Sequence, residues 1–299
     1  MVAWQSLMFV VIVLTALGTI VSKKTLFREH AMEFSATLSL VIAVFSLPLI
    51  PFVDFTIPRS YWLILYMVSL FATIGFLLIA KATRHLEISS SSPLFAFSPV
   101  ITAVLAFFFL SEHLTIVHFG GLALVFIGSY FLEMKPRKSM LKEMATPIKT
   151  MIKSKYIHFM FIALFLYGIG DIVERFMLNT SNPSHITTIT FFFIIHMFMA
   201  INFIILLTVY HNGFAGIKHG LKSAGYLIFL MAVIAFIGRF LTMYAVSIPA
   251  AQIALVSALK RGSIVLSTFF GGEIFKDKHI KQRTLAALVM VIGAILIAL

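Results

Sequence analysis

The sequence predicts an all-α integral membrane protein, with ten transmembrane helices in two inverted five-helix repeats. Three observations carry that reading. Of 299 residues, 61% are hydrophobic and 11% charged, with a mean hydropathy of +1.05, whereas soluble domains run at about 45–50% apolar and about 25% charged. The apolar residues gather in stretches long enough to cross a bilayer, which takes about 20 residues of helix. Several motifs recur at a nearly constant offset, as an internal repeat requires. Nothing alternates like a barrel strand, so backbone groups within lipid must be satisfied inside helices. The absence of cysteine excludes disulfides, thiolate metal sites and cysteine nucleophiles.

The ten predicted spans are 2–21, 34–53, 61–80, 88–110, 116–133, 157–176, 186–209, 225–246, 250–270 and 283–299. Span 1 lacks a basic leader and a small-residue cleavage site, so it reads as an uncleaved anchor. Polar and proline-containing runs, Val53 to Pro58 and Thr180 to Pro183, mark turns after spans 2 and 6. Span 4 opens with Ser89-Ser90-Ser91-Ser92-Pro93, small residues that suit a close approach to span 9. The one long connection, 134–156, holds seven basic residues and a single acid, Glu143. Within it Leu141, Met144, Ala145, Ile148 and Ile152 recur at helical spacing, as in an amphipathic segment lying on an anionic leaflet. Pro147 interrupts that pattern, and an unstructured basic linker fits equally well. The organisation expected is a first repeat over 1–133, a basic cytoplasmic connector over 134–156 and a second repeat over 157–299.

Topology follows from the cations in the connections. The loops after odd-numbered spans, counting Arg283 at the edge of span 10, carry 3, 2, 7, 2 and 4 Lys or Arg, a total of 18. The connections after even-numbered spans carry only Arg59 and, at the very end of span 6, Arg175, and the termini none. The odd loops are therefore expected in the cytoplasm and both termini outside, in a multi-pass protein of the cell membrane. The net charge of +12 reflects this topology, and no nucleic-acid partner is expected.

The repeat is read from four matches. Gly18 and Lys23 pair with Gly170 and Arg175, and Gly75 and Ala82 with Gly238 and Ala245. Ser111-Glu112 pairs with Gly272-Glu273, and Ile127-Gly128 with Ile292-Gly293. The offsets of 152, 163, 161 and 165 are nearly collinear, with a short insertion, Lys276 to His279, in the second copy. Five is odd, so the second copy enters the bilayer from the opposite face. Inverted repeats of this kind are the architecture of secondary transporters, with substrate held between the halves.

Lys260, Arg261 and Arg239 lie in no loop at all. The first two sit about ten residues from either end of span 9, roughly 15 Å from each interface at 1.5 Å per residue, beyond the reach of snorkelling. Each such cation costs about 2.5–3.5 kcal/mol to insert, so its retention points to a polar cavity or a counter-anion. Asp171 and Glu174 of span 6 are the available charge partners. Three cations against two acids leave a positive cavity, which suits an anionic substrate. Counting 13 residues back from Glu273 gives Lys260 and the same count from Glu112 gives Pro99, so Ser98 stands at the equivalent depth in the first half. Gln252 and Tyr244 are further candidate contacts. His196 reads as a proton relay or, more commonly for a lone intramembrane histidine, as a satisfied hydrogen-bond partner. Tyr167 lines a path or packs, and Asn202, Thr187, Thr188 and Thr190 suit interhelical contacts.

With these residues in view, the chain resembles the EamA-type drug/metabolite transporter superfamily. The stretches that carry the resemblance are Ser98-Pro99 through Ser111-Glu112 with Ile127-Gly128, and Phe269-Phe270-Gly271-Gly272-Glu273 with Ile292-Gly293. The resemblance implies a ten-helix carrier. The Lys260-Arg261 pair is similar to the pair that grips phosphate in the sugar-phosphate translocator branch of that superfamily. Small multidrug members couple to protons through an acid in helix 1, which this chain does not have.

The function expected is alternating-access transport of a small anionic or phosphorylated metabolite, by a monomer or homodimer embedded in lipid. The alternatives are a lipid-phosphate flippase, or a carrier of neutral or cationic metabolites whose central cations are structural. No nucleophile, base or metal constellation is present, so neither catalysis nor a metal or other cofactor is expected.

Overall fold

The computed structural model describes residues 4–26, 30–85, 97–111, 115–133, 154–274 and 280–298. Among them every regular element is helical. In chain order these are α1 (Trp4–Leu26), α2 (Ala31–Ser46), a 3-10 turn Leu47–Phe52, α3 (Arg59–His85), α4 (Phe97–Leu110) and α5 (Ile116–Glu133). There follow α6 (Lys155–Leu178), α7 (Thr188–Tyr210), α8 (Phe214–Ala224) and α9 (Tyr226–Ser247). The last three are α10 (Ile253–Lys260), α11 (Gly262–Ile274) and α12 (Ile280–Ala298). Among the described residues six helices, α1, α2 with its 3-10 turn, α3, α6, α7 and α9, are long and apolar enough to cross a membrane by themselves. The serine run at 89–93, the connector over 134–153 and Glu112 lie outside the described residues.

Two differences from the predicted spans have local causes. Span 9 is not one helix: it tightens at Arg261 and restarts as α11. Arg261 N–H donates to Ala258 O at 3.0 Å and Ile264 N–H to Arg261 O at 2.9 Å, both i→i+3 bonds. The pair Gly262-Ser263 follows at once, and such pairs are a common seat of helix kinks. The connection between spans 7 and 8 is itself helical, as α8. Its many small and charged residues kept its apolar content below that of a membrane span.

The most extensive helix contacts reproduce themselves when each of the first five spans is exchanged with the span five places later. α1 packs on α9 as α6 packs on α3, α1 on α11 as α6 on α4, and α2 on α9 as α7 on α3. The pairs α2–α7, α4–α10 and α5–α12 map onto themselves. The α5–α12 contact shows the rule at residue level. A Cβ on Gly128 would stand 2.6 Å from Met290 Cγ and 2.9 Å from Ala286 O. A Cβ on Gly293 would stand 2.8 Å from both Val125 N and Gly121 O. Gly121, Val125 and Gly128 become Ala286, Met290 and Gly293 on adding the 165-residue offset of the Ile-Gly match. The other matched glycines face reciprocal partners too: Gly75 meets Tyr167 of α6, and Gly238 meets Leu14 of α1. The fold is the predicted one, ten membrane helices in two inverted five-helix repeats.

Among the described residues, two large apolar cores fill the bundle, with two smaller clusters beside them. One joins α1, α4, α5, α6, α9, α10 and α12; the other joins α2, α3, α6, α7, α8 and α9. Residues 253–259 are buried without a break, so α10 is surrounded by protein on every side and delivers Lys260 into the interior.

Candidate functional site

Tyr167, Asp171 and Glu174 follow one another at helical spacing and so share a face of α6. Tyr167 lies against Gly75, where a Cβ would come within 3.1 Å of its ring. Asp171 Oδ2 accepts from Thr102 Oγ1 of α4 at 3.3 Å. Glu174 is fully buried and its carboxylate accepts from Arg239 Nη2 of α9 in an ion pair. Lys260 and Arg261 complete the group from the end of α10. Asp171 feels the charges of Arg239, Lys260 and Arg261, and Lys260 feels those of Arg239, Arg261, Asp171 and Glu174. The five charges predicted from the sequence therefore form one electrostatic cluster at the meeting of α6, α9 and the break in span 9.

The cluster is not at mid-helix. Glu174 is four residues before the end of α6, Arg239 eight before the end of α9, and Lys260 seven after the start of α10. At 1.5 Å per residue these are depths of about 6, 12 and 10 Å from the helix ends on one side of the bundle. The predicted depth of roughly 15 Å assumed an unbroken, centred span 9.

The remaining candidates divide. Ser98 is buried one turn before Thr102, on the same face of α4. His196 lies buried in α7 within the field of Arg239, with Nδ1 2.7 Å from the Phe192 carbonyl, so its ring is satisfied locally. Gln252 caps the start of α10, about 12 Å along the helix from Lys260. Tyr244 is 46% exposed and lies about 140° round α9 from Arg239, so the structure does not bring it into the cluster. Asn202 makes the interhelical contact expected of it, donating to Ser69 Oγ at 3.2 Å.

Sequence reasoning missed two residues. Thr102 carries the signal of standing four residues after Ser98. Arg175, counted as a loop cation, is buried and donates to the carbonyls of Val246, Ile248 at 2.8 Å and Pro249 at 2.7 Å. It caps the chain where α9 ends, binding the two helices whose acid and base pair one residue deeper. Above it a cavity of about 320 Å³ is lined by Phe109, Leu110, Ser111, Arg175, Phe176, Asn179 and Asn182. The cavity adjoins the cluster through Arg175 but includes none of its five charges. Among the described residues no group of His or acidic side chains is placed to hold a metal ion.

Comparison with known proteins adds a family match over the first repeat. No curated protein matches the sequence. Twenty-eight chains of solved structures match the fold. One of them, described only as "Crystal structure of protein", superposes with a TM-score of 0.66 at 13% identity, covering 98% of this chain and 95% of its own. Residues 2–134 match the EamA-like transporter family. Over its first repeat the chain is similar to the EamA-like transporters, and with its ten helices and reciprocal halves this supports a multi-pass membrane transporter of small molecules.

Proposed function

We propose that the chain is a secondary active carrier that moves a small anionic metabolite across the cell membrane by alternating access. The observation that carries this reading is the gathering of three cations and two acids at one level of the bundle. Each cation is costly in lipid, and formal charges leave the cluster at +1. Lys260 and Arg261 hold the substrate, with Arg239 as a secondary contact. Arginine offers a planar fork and lysine a point charge, both suited to an oxyanion. Glu174 and Asp171 hold the cations while the carrier is empty and yield them as substrate arrives, and the two repeats rock about this point. The likeness of the Lys-Arg pair to the sugar-phosphate translocators supports a phosphorylated substrate. The cation count supports cytoplasmic odd loops and external termini. Each chain works as a monomer or within a homodimer.

A second reading, a lipid-phosphate flippase, draws on the cavity beside Arg175. Phe109 and Phe176 on its lining are 72% and 53% exposed, so it opens sideways among lipid-facing side chains. Counterflow in reconstituted vesicles separates the two. Exchange of a soluble phosphorylated or carboxylated metabolite supports the carrier, and movement of a labelled phospholipid with no soluble exchange supports the flippase.

A further inference from the structure

We propose that α8 is an in-plane interfacial helix whose Lys218 and Lys222 bind the phosphates of anionic phospholipids. The helix is bracketed by Gly213 and Gly225, at φ +54° and +55°, a conformation that lets the chain turn sharply out of α7 and back into α9. Gly216, Gly220 and Ala224 form a stripe one turn apart, and all three are buried. That stripe seats on α2. A Cβ on Gly216 would lie 3.5 Å from Glu33 Cγ, and one on Gly220 3.5 Å from the Glu33 carbonyl. His219 Nδ1 stands 3.0 Å from Glu33 Oε2 and fixes the rotation further.

The seat sets the depth. Glu33 and Thr37 belong to the first two turns of a membrane span beginning at Ala31, about 3–9 Å along the axis. A helix packed there lies at the boundary of headgroups and acyl chains rather than out in the water. With the Gly216, Gly220 and Ala224 face turned inward, Lys218 and Lys222 lie about 160° and Phe214 about 120° away, and all three face outward. All three are exposed, Phe214 at 72%. Tyr210 and Tyr226, 72% and 77% exposed at either end, are the aromatic belt expected at that level. No acid interrupts the face, since α8 contains none. Two cations one turn apart at headgroup depth complement phosphate, and the depth selects the lipid over a soluble anion.

The test uses the full chain. Thermal stability in detergent is compared on adding phosphatidylglycerol or phosphatidylcholine. The wild type is expected to be stabilised more by phosphatidylglycerol. A Lys218→Gln, Lys222→Gln variant is expected to bind it more weakly, by about fivefold per lysine, and a Lys218→Arg, Lys222→Arg variant to keep the effect. A glutamine variant that retains the whole phosphatidylglycerol response would overturn the proposal. In vesicles of equal parts of the two lipids, Phe214→Trp emission is expected to be quenched by lipids brominated near the headgroup. Quenching by aqueous iodide alone marks a solvated face and would equally overturn it.

Discussion

Arg175 and His30 show how much rests on single polar side chains at helix ends. Arg175 satisfies three carbonyls that no helix bond reaches. Arg175→Met is therefore expected to cost at least about 2 kcal/mol in thermal or denaturant unfolding. His30 caps α2, accepting from Met32 N–H at 3.4 Å. Burial first, then the Arg84 and His211 charges, hold it below its ordinary 6.5; Glu33 opposes this and Lys81 adds to it. The unfolded chain thus binds the proton more readily, so this contribution is present above 6.5 and is lost as pH falls toward the folded value. His30→Asn keeps a cap acceptor and is expected to flatten the slope of melting temperature just below pH 6.5. An unchanged slope would rule out His30 as its source. At the cluster, Glu174→Gln removes the partner of Arg239, whose side chain is 35% exposed. The expected loss is about 3 kcal/mol or less, the low end for a broken buried pair, with turnover reduced more than substrate affinity. Arg261→Lys keeps the charge but removes the fork, and should weaken affinity for a bidentate oxyanion.

At the scale of the element, α5 and α12 depend on the absence of a Cβ at two points. Gly128→Ala and Gly293→Ala each drive a Cβ against the partner helix's backbone and should cost about 1–3 kcal/mol. Gly120→Ala, with nothing within 4 Å, should gain up to about 1 kcal/mol from helix propensity. Denaturation of the three variants side by side checks this; equal effects would refute the close approach. Span existence was legible in the sequence because lipid leaves the backbone only the helix. The break at Arg261 was not, because a single Gly-Ser pair in an apolar run resembles any other small-residue contact. Hydropathy also could not tell the two phenylalanine triplets apart: Phe107 to Phe109 face outward, whereas Phe191 to Phe193 are buried. Which side of a uniformly apolar helix faces protein is decided by its neighbours.

For the whole molecule, the repeat was legible because inverted halves must place equivalent small residues at equivalent contacts. The charge cluster was legible for a different reason: an ion in lipid is too costly to be accidental. Thr102 and Arg175 were obscured, one an ordinary hydroxyl and the other a helix-end cation that resembled a topology signal. Orientation has its own check. A reporter active only in the cytoplasm should be silent at the C-terminus and active when fused at Lys142, and the reverse pattern would invert the carrier.

The transport mechanism rests on anion binding by the cluster. Its most direct measurement is the thermal shift of purified wild type and of a Lys260→Gln, Arg261→Gln variant against phosphorylated, carboxylated, neutral and cationic metabolites. Anions alone are expected to stabilise the wild type, more at low salt than at high, and the double variant, folded normally, is expected to lose the shift. A neutral or cationic metabolite that stabilises both proteins equally would contradict anion binding and leave the cations as structural pairs.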